Sequence, residues 1–309
     1  MRVCVVGLGS IGARHILNMC SIWGEQIHID LLRSGKGGEV PKNISDRIQS
    51  IYFKYQELPK DYDAIFITNP TKMHYETLEK CQKHANNFFI EKPIFMTGEE
   101  NITQFMDDKN KLFYVACPLR YTNVIQYLKN NVDFSHIFSI RCISSSYLPD
   151  WRPEKDYRST YSASKALGGG VAIDLIHEWD YLCYLVGQPI QMYSLMGNKS
   201  NLEIDSDDIA IYIAEYKHLM VELHLDYFGR APIRKIELYG EHDTIEADLI
   251  EQKIIFKRLG KVLEMKEERD AYQKRELIHF FDIINGKIDN DNDMIKACEI
   301  LRIARGDQL

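Results

Sequence analysis

Residues 3–15, VCVVGLGSIGARH, decide the fold. Val3 to Val6 read as a short buried strand, which runs directly into Gly7, Gly9 and Gly12 at G-x-G-x-x-G spacing and then into a helical pattern from Ile11 to about Ile22. The first glycine of such a turn permits the tight bend, the second lets a pyrophosphate approach the backbone, and the third lets helix and strand pack closely. The helix N-terminus adds unpaired N–H groups and a partial positive charge. The segment therefore reads as a dinucleotide site with Gly7, Gly9, Ser10, Ile11 and Gly12 as its contacts, against the alternative of an ordinary glycine-rich turn.

Working outward, short apolar runs alternate with helical patterns over the first third of the chain. IHIDLL (27–32), AIFIT (64–68), FFI (88–90) and LFYVA (112–116) read as strands, with helices from His74 to about His84 and from Gly98 to about Lys109. Serial βα units of this kind predict an α/β fold, a Rossmann-type doubly wound parallel sheet. After Arg120, strands follow one another with alternating side chains (IFSIRCISS, DIAIYIAEY, LMVELHLDY, IRKIELYG, TIEADL, QKIIFKR), which predicts a C-terminal α+β domain with a large, mainly antiparallel sheet. Helices are expected over about Gly170–Leu185, Arg269–Asn285 and Asp293–Arg305. The boundary is placed near residue 120, giving a dinucleotide-binding domain at 1–119 and a substrate-binding and oligomerisation domain at 120–309.

Specificity for the adenosine ribose is read at the end of the second strand, where enzymes that use NAD place an acid. Here stand Arg33, Ser34 and, after Gly35, Lys36, while the nearest acid, Asp30, lies three residues too early. A guanidinium, a hydroxyl and an ammonium suit a 2′-phosphate, so the expected cofactor is NADP. If Arg33 and Lys36 are only solvated loop charges, NAD remains open.

The 309 residues are 45% hydrophobic and 27% charged with a net charge of −7, which fits a folded protein and argues against unspecific nucleic-acid binding. Seven scattered cysteines form no C-x-x-C pair, so neither a zinc cage nor a secreted disulfide framework is expected, and a cytoplasmic location fits. No spanning helix or signal peptide is read: the opening apolar run is broken by glycines and then by Arg14 and His15. HEWDY at 177–181 is not a zincin motif, because Tyr181 stands where its second histidine would fall, and no metal is expected.

Further motifs stand in series: TNPTKMHYE after the AIFIT strand, Glu91-Lys92-Pro93 after FFI, PLRY at 118–121, GGGVAIDLIH at 168–177, and RELIHFFDIINGK near the end. Together with the glycine fingerprint they resemble the Gfo/Idh/MocA oxidoreductases across essentially the whole chain. The resemblance implies a catalytic group of Lys92, which would hydrogen-bond the reacting hydroxyl, His177, which would take its proton, and Asp174, which would orient substrate or imidazole. Asp174 and His177 stand three apart on one expected helix, hence on one face. It further implies cofactor contacts at Asn69, Pro70, His74, Glu91 and Lys92, and substrate contacts at Arg120 and Tyr121. A base near neutrality is what carbinol oxidation needs, and histidine supplies it.

Before the catalytic segment lies a long polar and aromatic stretch with Trp151, Arg152, Tyr157, Arg158, Tyr161 and Lys165. Long loops in compact domains are commonly functional. Aromatic faces with arginine forks fit a sugar carrying a phosphate, carboxylate or nucleotide, so Trp151, Arg152, Tyr157 and Arg158 are substrate-binding candidates. Packing of this arm on a neighbouring subunit is the other reading. The expected activity is an NAD(P)-dependent sugar or nucleotide-sugar dehydrogenase or reductase, similar to relatives in surface-sugar metabolism, acting as a homodimer or homotetramer. A glycosidase or lyase using transient sugar oxidation, and a non-catalytic nicotinamide-binding regulator, are the alternatives.

Overall fold

The apolar run that opens the chain forms β1 (Arg2–Val6), with Val3, Cys4 and Val5 fully buried. In the computed structural model, which describes residues 1–307, β1 lies in the middle of a parallel sheet. The chain continues through α1 (Ser10–Trp23), β2 (His28–Leu32), α2 (Lys42–Ser45), β3 (Ser50–Tyr52), β4 (Ala64–Ile67), α3 (His74–Cys81), β5 (Asn87–Ile90), α4 (Thr103–Met106) and β6 (Leu112–Val115). The strand order is β3-β2-β1-β4-β5-β6. All of β4 and Phe88 to Ile90 are fully buried, as a sheet covered on both faces requires. The winding reverses between β1 and β4, and the crevice at their carboxyl ends is where such folds bind ligands.

The helix expected over 98–109 is reduced to the single turn α4. The Glu100 carboxylate draws in the backbone N–H groups of Met96, Thr97 and Gly98 at 3.1, 3.0 and 2.8 Å, and Asn101 takes that of Thr103. Side-chain acceptors thus compete with the helical ladder, and Gly98 at φ +82° bends the segment into a loop.

The second sheet follows α5 (Asn123–Asn131) and begins with β7 (Ile137–Tyr147). After it come α6 (Val171–Asp174), α7 (His177–Val186), β8 (Gln191–Gly197), β9 (Ile209–Glu215), β10 (Met220–Asp226), β11 (Phe228–Gly240), β12 (Thr244–Asp248), β13 (Lys253–Phe256) and β14 (Lys261–Glu264), then α8 (Ala271–Ile284) and α9 (Met294–Arg305). Its order is β14-β13-β12-β11-β7-β10-β9-β8, antiparallel except for the parallel pair β7 and β10. A parallel pair needs a long crossover, and residues 148–219 supply it. Alternation is clear on β9, where Ala210, Tyr212 and Ala214 are buried while Ile211 and Ile213 face outward.

Two compact units result: Met1–Cys117 with Gln273–Glu299, and Pro118–Tyr272 with the chain from Ile300 onward. Residues 273–299, assigned from the sequence to the second domain, therefore return to the first. The reason is aromatic: Phe280 meets Phe66 and Phe89 at centroid distances of 5.7 and 5.3 Å, and Phe281 meets Trp23 at 4.7 Å. A fully buried phenylalanine contributes about 1.5–3 kcal/mol over an exposed one. Glu276 of the same helix accepts the backbone N–H of Cys117, which ties it to the end of β6.

Candidate active site

Gly7 leaves β1 at φ +94°, and a Cβ there would lie 2.8 Å from the Cα of Asn69. At Gly12 a Cβ would meet the Gly7 carbonyl oxygen at 2.6 Å and Thr68 Oγ1 at 2.7 Å, whereas at Gly9 it would meet nothing within 4 Å. Packing closes the first and third glycines and leaves the second facing open space, the arrangement a pyrophosphate needs. Thr68 clamps the turn by donating its hydroxyl to the carbonyls of Val6 and Gly7. The N-terminus of α1 has no side-chain cap and no acidic residue in its first turn, so its positive pole is not neutralised locally. Ser10 is exposed and Ile11 half-buried at that end. Asn69 donates to Thr77, and its Oδ1 is a buried acceptor with no partner among the described residues, a group that a ligand's donor would satisfy. These residues fit a dinucleotide.

At the end of β2, the backbone N–H of Arg33 extends the ladder to Tyr52, and its guanidinium donates to the Gly38 carbonyl, curling over its own loop. Arg33 has no carboxylate partner among the described residues. Ser34 and Lys36 are exposed beside it. Asp30 is fully buried and held by Arg2 at 2.9 Å and the Tyr62 hydroxyl at 2.8 Å, so it is unavailable to a ribose.

After β4, Pro70 is exposed, but His74 is buried, its two ring nitrogens 2.9 and 3.0 Å from the carbonyls of Asn69 and Ile94. Burial lowers its pKa, so the ring is neutral and donates its single N–H to one of these carbonyls while the other nitrogen only packs against the second; the side chain fills the space between the loops after β4 and β5. The cofactor contact expected at His74 thus falls on a buried side chain set between two backbone carbonyls. Glu91 continues the ladder of β5 to Ile67, and its carboxylate lies 2.6 Å from His15 Nε2 on α1. His15, which the sequence reading left unassigned, is wedged edge-on against Phe89 at 5.1 Å. Glu91 is thereby committed to α1. Lys92 follows, half-buried, with a cis peptide bond to Pro93.

In the second unit the single helix expected over 170–185 is two. Leu175, at φ −96° and ψ 29°, breaks it, so that Asp174 closes α6 and a half-buried His177 opens α7. Asp174 is buried, and both of its oxygens accept phenols, Oδ1 from Tyr161 and Oδ2 from Tyr227 at 2.5 Å. Burial, and then the Asp174 charge, hold both phenols well above their ordinary pKa, which keeps them donors. The glycine run makes this approach possible: a Cβ at Gly169 would lie 2.0 Å from the Tyr161 carbonyl oxygen, and Gly170 stands at φ +132°. Tyr227 was missed in the sequence, although it extends the buried alternation Val221, Leu223, Leu225 on β10 and a phenol there must find an acceptor.

The expected substrate residues divide. Arg120 is 3% exposed and forms a two-pronged ion pair with Asp180 at 2.9 and 2.7 Å, and Tyr121 is also buried. Both side chains lie in the interior, and a carboxylate 60 residues away neutralises the arginine. Arg158 is likewise engaged, with Asp156 and with Glu203 at 2.8 Å, and the Tyr157 hydroxyl accepts the backbone N–H of Glu203. These two clasp the arm to the loop before β9. Trp151 keeps a 39% exposed surface, with Nε1 on Ser146 Oγ at 2.9 Å and its ring edge-on to Tyr227 at 5.3 Å. Arg152 is exposed and has no carboxylate partner among the described residues.

Residues 1–116 match the Gfo/Idh/MocA family model described as an oxidoreductase family with an NAD-binding Rossmann fold, and residues 125–246 match the Gfo/Idh/MocA C-terminal domain. The chain belongs to the Gfo/Idh/MocA oxidoreductase family. As a Gfo/Idh/MocA member it belongs to an oxidoreductase family with an NAD-binding Rossmann fold, as its motifs implied. The myo-inositol 2-dehydrogenase of Thermotoga maritima is 22% identical over 266 residues, 82% of this chain and 76% of that protein. Solved structures sharing the fold include the UDP-N-acetylglucosamine 3-dehydrogenase of Acidithiobacillus ferrooxidans, at TM-score 0.79 and 19% identity over 99% of this chain and 96% of that one. A levoglucosan dehydrogenase in complex with NADH gives TM-score 0.83 and 15% identity over 99% and 95%. The α/β Gfo/Idh/MocA architecture expected from the sequence is thus the one observed. No helix among the described residues is long and apolar enough to cross a membrane.

Proposed function

We propose that this protein is an NADP-preferring dehydrogenase or reductase of a sugar or nucleotide sugar that carries an anionic group, in surface-sugar metabolism. The observation that carries the reading is Asp174, immobilised by two tyrosine hydroxyls immediately before the histidine that opens α7. His177 takes the proton of the substrate hydroxyl, and Asp174, fixed in rotamer by Tyr161 and Tyr227, orients substrate or imidazole. Lys92 hydrogen-bonds the reacting oxygen and stabilises its alkoxide-like charge, as the family resemblance implies. A bound nicotinamide supplies the hydride acceptor or donor. The cradle of Gly7, Gly9 and Gly12 with Asn69 holds the dinucleotide.

Exposed Tyr193, Leu195, Ile211 and Ile213 on one face of β8 and β9 support a homodimer or homotetramer, and a cytoplasmic location belongs to the same reading.

Free sugars and nucleotide sugars screened with each nicotinamide by fluorescence test the reading. Stoichiometric change in reduced nicotinamide is expected. Glycosidic cleavage without such a change overturns it in favour of transient oxidation. For the cofactor, Arg33→Asp is expected to shift the kcat/KM ratio of NADP to NAD by roughly 10- to 100-fold towards NAD, the weight of one charge-assisted hydrogen bond. An unaltered ratio means that this loop does not read the phosphate.

A further inference from the structure

In the second unit the start of β7 meets the turn that joins β11 to β12. His136, Glu241 and His242 gather there, each offering one ligand atom, and these three atoms all lie within 4.8 Å of one another. His136 Nδ1 stands 3.0 Å from Glu241 Oε2, and the two imidazole rings lie 5.3 Å apart between centroids at an interplanar angle of 37°. No motif announces this group. His136 and Glu241 are 105 residues apart, so no ligand spacing links them, and the expectation of no metal rests on local patterns alone.

The backbone builds the cluster. Phe134–His136 form one 3₁₀ turn capped by Asp133, and the His136 carbonyl accepts the backbone N–H of Glu241 at 3.0 Å. Gly240 pairs with Ile137 after a shift of register, and its N–H closes the turn on the Asp243 carbonyl at 3.1 Å. The Asp243 carboxylate holds the far side of that turn by accepting the N–H groups of Thr244 and Arg258, each at 2.7 Å. Two segments distant in sequence are thereby fixed against each other by main-chain bonds, which sets the roots of the three side chains in advance of an ion.

The donors are those of a divalent transition ion of the zinc type. Imidazole nitrogens suit zinc, copper and nickel, whereas magnesium and calcium call for oxygen. Zinc holds nitrogen and carboxylate oxygen at about 2.0–2.2 Å, so the donors of a tetrahedral site stand about 3.4 Å apart. His136 and Glu241 are already within that separation, and the exposed side chain of His242 closes the rest by small torsions. No hydrogen bond engages the His242 ring among the described residues, which leaves its nitrogens available. A further carboxylate stands behind His136: Asp133 Oδ2 lies 3.7 Å from Nε2, and Ser135 fixes Asp133 through its backbone N–H at 3.0 Å and its hydroxyl at 2.6 Å. A carboxylate so placed orients a ligating imidazole and raises its basicity.

We propose that His136, Glu241 and His242 form a zinc-type metal site that clips the start of β7 to the turn after β11. Three protein donors leave a fourth position to solvent. The site is independent of the sugar-dehydrogenase reading, because its ion fastens the second unit and takes no part in hydride transfer.

Equilibrium dialysis of the full chain against zinc chloride, with the protein free of any affinity tag and stripped by a chelator, tests it on the wild type, His136→Gln, Glu241→Gln, His242→Gln and the double histidine variant. A single zinc ion per chain is expected, and each single substitution should weaken it by at least about tenfold, the smallest loss usual when even an outer partner of a metal ligand is removed. All three side chains are exposed, so the metal-free variants keep the urea midpoint of the wild type and the loss is read on folded protein. Zinc should raise that midpoint in the wild type and leave it unmoved in the double variant, because an ion held by the folded chain stabilises it by mass action. No bound zinc, a single variant that falls short of the tenfold loss, zinc held equally by the double variant, or a wild-type midpoint indifferent to zinc overturns the site. Magnesium in about tenfold excess should displace none of the zinc, and displacement overturns the nitrogen donor set.

Discussion

His177→Ala is expected to lower turnover by roughly 10²- to 10⁴-fold, the usual weight of a general base, while cofactor affinity stays near that of the wild type. The surroundings of His177 explain why it suits that task. It opens α7, half-buried and three residues after Asp174. The two carboxylates in the first turn of the helix, Glu178 and Asp180, are each engaged by a guanidinium, of Arg234 and Arg120. Asp174 is held by phenols that donate to it. Single-turnover fluorescence gives the rate and a titration gives the affinity for the nicotinamide. Undiminished turnover removes His177 from the chemistry.

Arg120→Ala has the largest expected effect on stability, a loss of about 3–5 kcal/mol, because it leaves the Asp180 carboxylate buried without its two-pronged partner. Combining Arg120→Met with Asp180→Leu should recover most of that loss, since apolar residues of similar volume replace such pairs at little cost. Urea unfolding of the three proteins measures both. A substrate role for Arg120 predicts the opposite pattern: an unfolding midpoint near that of the wild type, with a raised KM for sugar.

The parts of the molecule legible in the sequence are those written locally. The glycine spacing, the uninterrupted apolar strands of the first sheet and the alternation on β9 and β10 each follow from contacts made within a few residues. The break at Leu175 was not legible, because VAIDLIHEWDYL has an unbroken helical pattern and its charged residues are partnered from outside the segment. The carboxylate partners of Arg120 and Arg158 were not legible for the same reason. An arginine beside aromatic residues has the same local signature whether it awaits a ligand or already holds a carboxylate, and only the fold brings up Asp180 or Glu203. The loop at 98–109 failed differently, since Glu100 and Asn101 redirect backbone N–H groups that the periodicity had assigned to a helix.

The return of residues 273–299 to the first unit has a consequence for biosynthesis. The nucleotide-binding unit cannot complete its interior while it emerges from the ribosome, since Phe280, Phe281 and Glu276 arrive only after the whole second sheet has been translated. The usual amino-terminal-first order of domain folding is therefore inverted here. A fragment ending at residue 119 would expose Phe66 and Phe89 and aggregate, whereas the nascent chain needs its last helices to seal the first thing it makes.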